Sequence, residues 1–380
     1  MSEYQYFEFQ AIDVPLSQKQ ISELRNYSSR AQITPSSFVN EYNWGNFKGD
    51  PNRWIEKYFD AFLHLTNWGT RWFMLRIPKR LLSSNVTSTY FGEHSMSCRS
   101  TGEHLILSFY SEVEDYEWAD REGRLSSLIP LRADILRRDY RCLYLGWLLG
   151  AQKGEYDDTS IEPPIPPGLG NLSASLQAFA DFLCIDPVLM ASAAEKSAEN
   201  TVTELSEQDI SRWVADLPAR DKDVILTRLL GSDELHFSIE LRQRAFREIH
   251  GVEEKNTGQR SVDQLLASAK EIGEERRKNE ARKRAQEKAR REREQAEKRL
   301  KHLKSLNGKE IGLWSMVDQL IATRQPKRYD EAVLILQDLH DLADMERKSS
   351  EFLMRMNSLC EQHAKKVSLL DKLRKTKLTE

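Results

Sequence analysis

Cysteine is scarce. The 380-residue chain holds four, Cys98, Cys142, Cys184 and Cys360, with no CxxC pair and no disulfide-framework spacing. Thiols scattered in this way exclude a small disulfide-stapled secreted fold and fit a reducing compartment. Long apolar runs are missing as well. The most apolar window, CLYLGWLLGA at 142–151, has about half of the ~20 residues that a bilayer-crossing helix needs. The opening MSEYQYFEFQ has neither the basic start nor the apolar stretch of a secretory signal. No membrane association is expected, and the cytoplasm is the expected location.

Chemical motifs are missing too. None of the eight histidines sits in an HExxH, and none falls at zinc-ligand spacing from two cysteines. His94 and His104 could face each other across a hairpin with Cys98 between them, but a metal wants three or four converging ligands and nothing nearby supplies the rest. No serine lies in a GxSxG elbow. Gly168 and Gly170 form a GxG that follows a proline run rather than a strand and lacks the third glycine of a phosphate-binding loop. No catalytic residue, metal or cofactor is expected. An enzymatic function would have to rest on a site assembled from distant residues of the N-terminal region.

What is present is charge, unevenly spread. Residues 1–160 carry 18 Lys and Arg against 21 Asp and Glu, and 259–308 carry 16 against 9, so an acidic head precedes a basic stretch. The head alternates strand and helix signals. YQYFEFQAID places Phe7 and Phe9 on one face and Tyr4, Tyr6 and Glu8 on the other, a period-two strand. A helix follows, with Ser17 as its N-cap. Residues 32–42 are β-prone, 53–65 read as a helix on Ile55, Phe59, Phe62 and Leu63, and 71–77 read as a strand. Residues 93–112 read as a hairpin turning at Thr101–Gly102, and a long helix over 126–152 closes the head. The pattern predicts an α+β sandwich with helices over one sheet face. The tripeptide NWG occurs at 43–45 and 67–69. It reads as a turn and a helix stop, since Asn and Gly tolerate positive φ; the alternative is an exposed aromatic patch, since 25 of the 34 aromatic residues lie in 1–150, but core packing is the better reading of those aromatics.

After a proline-rich linker at 161–170, strand signals vanish. Residues 171–258 read as an α-helical domain, with Asn171 or Ser173 capping its first helix and a capping box at Ser206 and Asp209. Residues 259–306 read as one long charged helix. Five Glu-to-Lys/Arg pairs at i,i+4, such as Glu280–Arg284 and Glu287–Arg291, support it at ~0.3 kcal/mol each. The apolar a and d positions of a coiled coil are absent until Leu300, so a lone spacer helix is expected. Gly308 ends it, and 307–380 read as a bundle of three helices with apolar stripes. The fold class is therefore α+β, an N-terminal sandwich head followed by an all-α region with a long charged helix and a small helical bundle.

The segments YFEFQAID, ITPSSFVNEYNWG and YDEAVLILQDLHDLA through HAKKVSLLDKL resemble an uncharacterised family of bacterial proteins. The tail is also similar to C-terminal helices of some bacterial SWIM-type zinc-finger proteins, but their metal motif is absent. The resemblance implies a bacterial origin and no activity. The sequence is thus best read as a non-enzymatic scaffold or adaptor of a bacterial multi-protein system, with protein partners at head and tail. The first alternative is an accessory protein that binds nucleic acid weakly through the basic helix, where Arg282, Lys283, Arg290 and Arg291 are the candidate contacts. The second is an enzyme with a non-local site in the head.

Overall fold

The computed structural model describes residues 4–113, 124–199, 205–231, 236–251, 260–376 and 378. They fall into two compact units, Met1–Arg276 and Arg277–Glu380. The first unit holds strands β1 (Gln5–Gln10), β2 (Gln32–Ile33), β3 (Ser37–Tyr42), β4 (Ala61–Thr66), β5 (Thr70–Pro78), β6 (Met96–Thr101) and β7 (His104–Glu112). They form one antiparallel sheet in the order β2-β3-β1-β4-β5-β7-β6. Helices α1 (Gln18–Arg25), α2 (Pro51–Lys57) and α3 (Ser84–Thr87) interrupt the strands. After them come α4 (Arg124–Leu128), α5 (Pro130–Leu136), α6 (Arg141–Gln152), α7 (Ala174–Leu183), α8 (Pro187–Glu195), α9 (Glu207–Asp216), α10 (Ala219–Gly231) and α11 (Phe237–His250). The chain is of the α+β class, with its sheet N-terminal and its C-terminal part mostly helical.

Strand β1 alternates as its sequence dictates. Phe7 and Phe9 enter a core with Phe38, Trp54 and Phe62, while Tyr4 and Tyr6 enter another with Leu63, Phe73 and Phe109. Both sheet faces are therefore buried, not one as expected. Leu24 of α1 and Trp54 and Ile55 of α2 cover the first face; α4 to α8 cover the second with Leu125, Leu131, Leu143 and Phe179. This explains the error over 53–65. A strand covered on both sides reads as a continuous apolar run, which periodicity does not separate from a buried helix. Helix α2 ends at Lys57, and β4 sends Phe62 and Leu63 to opposite faces. The expected helix 126–152 is likewise three helices, broken at Pro130 and at Arg138, whose φ is +70°.

The proline-rich segment does not lie between two cores. One cluster runs from Phe73 and Phe109 of the sheet through Phe179 and Leu183 of α7 to Val262 and Leu265, the first turn of helix α12 (Val262–Leu306). Glu162, 1% exposed, sits inside it. Its carboxylate accepts from Arg260 Nε at 2.5 Å and Nη2 at 3.1 Å and from the Tyr144 hydroxyl. Prolines stiffen a segment without placing it in solvent.

Helices α9 and α10 bury no side chain of their own. Helix α10 turns its charged face to α11, through Asp221 to Arg244 at 3.0 Å and Arg228 over the Phe237 ring at 4.2 Å. Ser206 forms the expected capping box with Asp209. In the second unit, α13 (Glu310–Ala322), α14 (Pro326–Glu346), α15 (Ser349–Gln362) and α16 (Val367–Lys375) surround Val317, Ile321, Leu336, Met356 and Leu369. The bundle thus has a fourth helix where three were expected, anchored by Leu369 and Leu373. Gly308, at φ +79°, separates α12 from α13.

Candidate functional site

The two NWG turns lie at the same end of the sheet. Gln5 of β1 is registered with Tyr42 of β3 on one side and Thr66 of β4 on the other, so the chain leaving β3 and the chain leaving β4 flank the start of β1. Both turns are tied to it. The Gln5 side-chain amide donates to Gly45 O at 3.2 Å, and Asn67 Oδ1 accepts the Tyr4 backbone N–H at 2.9 Å. Gly45 has φ +85° and Gly69 φ +102°, the conformation that the Asn/Gly chemistry favours. At Gly69 a Cβ would come within 1.8 Å of Val113 O, so only glycine fits. Each turn carries its tryptophan outward: Trp44 is 75% exposed and Trp68 49%. Turn chemistry and an exposed aromatic patch, read as alternatives in the sequence, are here one arrangement.

Behind the turns, a row of rings crosses four strands. Register places Phe7 opposite His64, His64 opposite Trp72, and Trp72 opposite Tyr110. Phe47 stacks on Phe7 at 4.6 Å, and His64 stacks on it at 4.1 Å. These residues line an open cleft of about 430 Å³ with Gln5 and Thr70. Burial pushes the His64 imidazole down to about 4, so it is neutral at ordinary pH. Burial, then the Glu112 carboxylate that its hydroxyl contacts, push the Tyr110 phenol up to about 12.

No known protein family, no curated protein and no solved structure matches this chain.

The opposite end of the sheet carries charge. Asp60, 1% exposed, accepts from the backbone N–H groups of Ile12 at 2.6 Å and Asp13 at 2.9 Å and from Arg76 Nη2 at 2.8 Å. Arg132 forms a two-pronged pair with Asp13 at 2.8 and 2.6 Å, and His236 Nε2 lies 3.0 Å from the same carboxylate. Burial raises the Asp13 pKa, but Arg132 and His236 outweigh it and hold the carboxyl below its ordinary value. Every one of these carboxylates already has a cation and hydrogen bonds. The cluster fastens β1, β5, α5 and the start of α11 together and offers no free acid or base to a substrate.

The residues singled out in the sequence fare differently. Arg282, Lys283, Arg290 and Arg291 are all exposed on α12. Arg290 and Arg291 both pair with Glu287 at 3.1 Å, and Arg290 also reaches Glu294 at 3.6 Å. The charge of Arg290 and Arg291 is thus partly neutralised along the helix itself. His94 and His104 do not face each other: His104 pairs with Thr101 at the turn, while exposed His94 precedes β6 at the far end of the hairpin. Among the described residues no three His, Cys, Asp or Glu side chains are grouped to hold a metal ion. Gly168 donates its N–H to Ala198 O at 2.8 Å and accepts from Arg141, so the GxG is packed structure. The ring row escaped the sequence because its members come from four strands. The repeated NWG was its one local signal.

Proposed function

We propose that the protein is a non-enzymatic scaffold or adaptor of a bacterial multi-protein system, contacting protein partners through its head and its helical tail. The observation that carries this reading is the pair Trp44 and Trp68, exposed on two turns fastened to the same strand. Large aromatic side chains are the commonest anchors of protein interfaces. Holding them on pinned turns lowers the ordering cost when a partner covers them. Apolar side chains also stand out on the tail, with Ile311 81%, Leu334 62% and Met354 67% exposed. Among the described residues no helix is long and apolar enough to cross a membrane, and the four cysteines are unpaired. A reducing cytoplasm suits such thiols.

The test is affinity capture of the full-length protein from its native cells, with and without nuclease, beside a Trp44→Ser/Trp68→Ser double variant of equal melting temperature. The expected result is a set of proteins that survives nuclease and is lost with the double variant. An unchanged set in the double variant would remove the two tryptophans from the interface. Capture that nuclease abolishes would move the reading to nucleic acid and the basic helix.

A further inference from the structure

The cleft beside Phe7 has the features of a receptor for one flat cation. Its wall is the stack of Phe47, Phe7 and His64, with successive planes inclined by 19° and 18°. Trp72 does not continue that stack. It meets Phe62 edge-on, 5.1 Å away at 86°, and its indole N–H is taken by Ser108 Oγ at 2.8 Å. The His64 ring, with Phe7 against it, also lines the cleft, and its Nε2 is buried without a hydrogen-bond partner. With no exposed surface, that atom is out of a ligand's reach, and the ring offers the cleft an uncharged face. None of the ten lining residues carries a charge. At the rim, the Glu112 carboxylate takes the Tyr110 hydroxyl, and Lys153, which reaches the Glu112 backbone carbonyl at 3.5 Å, is close enough to feel the Glu155 and Glu112 carboxylates.

We propose that this cleft takes the guanidinium of an arginine on a partner protein, an inference that rests on the adaptor reading. A guanidinium is planar, weakly hydrated and stacks on aromatic faces. Its in-plane N–H groups can donate to the oxygens of Thr70 and Tyr110. The uncharged imidazole does not repel it, and Glu112 supplies the opposite charge. A lysine ammonium carries the charge without the plane. A nucleobase offers the plane, but its phosphates would find no cation among the lining residues and a carboxylate at the rim, and phosphate contacts dominate such binding.

The test uses the full-length protein and three probes: N-acetyl-arginine amide, its citrulline counterpart, and adenosine monophosphate. The indole N–H resonances of the eight tryptophans are followed, with the Trp72 signal assigned through Trp72→Phe. Arginine should move the Trp72 signal and saturate in the millimolar range, as suits a single side chain. Citrulline, which keeps the shape and loses the charge, should bind roughly tenfold more weakly. Glu112→Gln, at an exposed position, should weaken arginine several-fold at unchanged melting temperature. A Trp72 signal unmoved by arginine, equal binding of citrulline, or a stronger response to adenosine monophosphate would each overturn the proposal. If arginine fails while Trp44→Ser/Trp68→Ser still loses its protein partners, this inference falls and the adaptor reading stands. If arginine binds while the double variant keeps every partner, the inference stands and the two tryptophans leave the interface.

Discussion

Glu162→Gln keeps the shape of a buried side chain and removes its charge. The Glu162 side chain is 0% exposed and that of Arg260 11% exposed. After the substitution, Arg260 retains its 3.0 Å bond to Ser192 O but has no countercharge. Breaking one partner of a buried ion pair costs ~3–5 kcal/mol. The glutamine oxygen still accepts one hydrogen bond, so the lower end of that range, ~3 kcal/mol, is expected. At roughly 2–4 °C per kcal/mol for a unit of this size, the melting temperature should fall by about 6–12 °C. Near-UV circular dichroism of the full-length protein is the assay, because Tyr144, which binds Glu162, lies 5.6 Å from the Trp147 ring and reports on this region. The double variant Glu162→Leu/Arg260→Met should recover most of the loss, since neither charge then needs desolvating. A single-variant loss under ~1 kcal/mol, the range of a surface pair, would refute the reasoning and return 161–170 to the role of a passive tether.

Three further outcomes follow from the geometry. Gly69→Ala should destabilise by more than ~2 kcal/mol, because strain at φ +102° adds to a clash with Val113 O, whereas Gly45→Ala, at φ +85° with open space around its Cβ, should cost about 1 kcal/mol; equal melting temperatures would contradict the packing at Gly69. His64 titrates at about 4 when folded against 6.5 as its ordinary value. The unfolded chain therefore binds that proton first, and stability should fall by ~1.4 kcal/mol per unit as pH drops from 6.5 towards 4; His64→Gln should flatten that part of a urea-melt pH profile, and an unaltered slope would speak against a buried imidazole. On α12, affinity for single- or double-stranded DNA or RNA should be no tighter than about 10 µM at physiological salt, within the non-specific range. Fluorescence anisotropy showing submicromolar binding there, lost on changing Arg282, Lys283, Arg290 and Arg291 to Gln, would favour the nucleic-acid reading.

The parts of the fold legible in sequence are those fixed by local chemistry. Ser17 caps α1 with a reciprocal bond from Gln20, and Gly308 follows a helix, Val262–Leu306, that ends where the expected 259–306 ends and begins three residues later. The Phe7/Phe9 and Tyr4/Tyr6 alternation likewise survives, because a strand's two faces are set by its pleat. What failed depended on distant partners. Nothing within 53–65 says that the face carrying Leu63 will be covered by helices encoded after residue 124. Similarly, Glu162 reads as part of a linker until Arg260, 98 residues on, is placed against it. The candidate site was half visible: NWG marks the turns, while the pairing of His64 with Trp72 and of Trp72 with Tyr110 exists only in the register.

Burial of both sheet faces also changes what decides strand alignment. In a sheet with one wet face, sliding a strand by one residue turns its apolar side chains into solvent, and the hydrophobic effect forbids it. For β1 that safeguard is weak, since Tyr6, Phe7 and Phe9 would meet an apolar environment on either side. Alignment must then be encoded in groups that distinguish one position from the next. Asn67 grips the Tyr4 N–H just before the strand, and Asp60 grips those of Ile12 and Asp13 just after it. Two polar side chains, one at each end, act as the stops between which the central strand has a single place, and the ring row in front of it inherits its spacing from them.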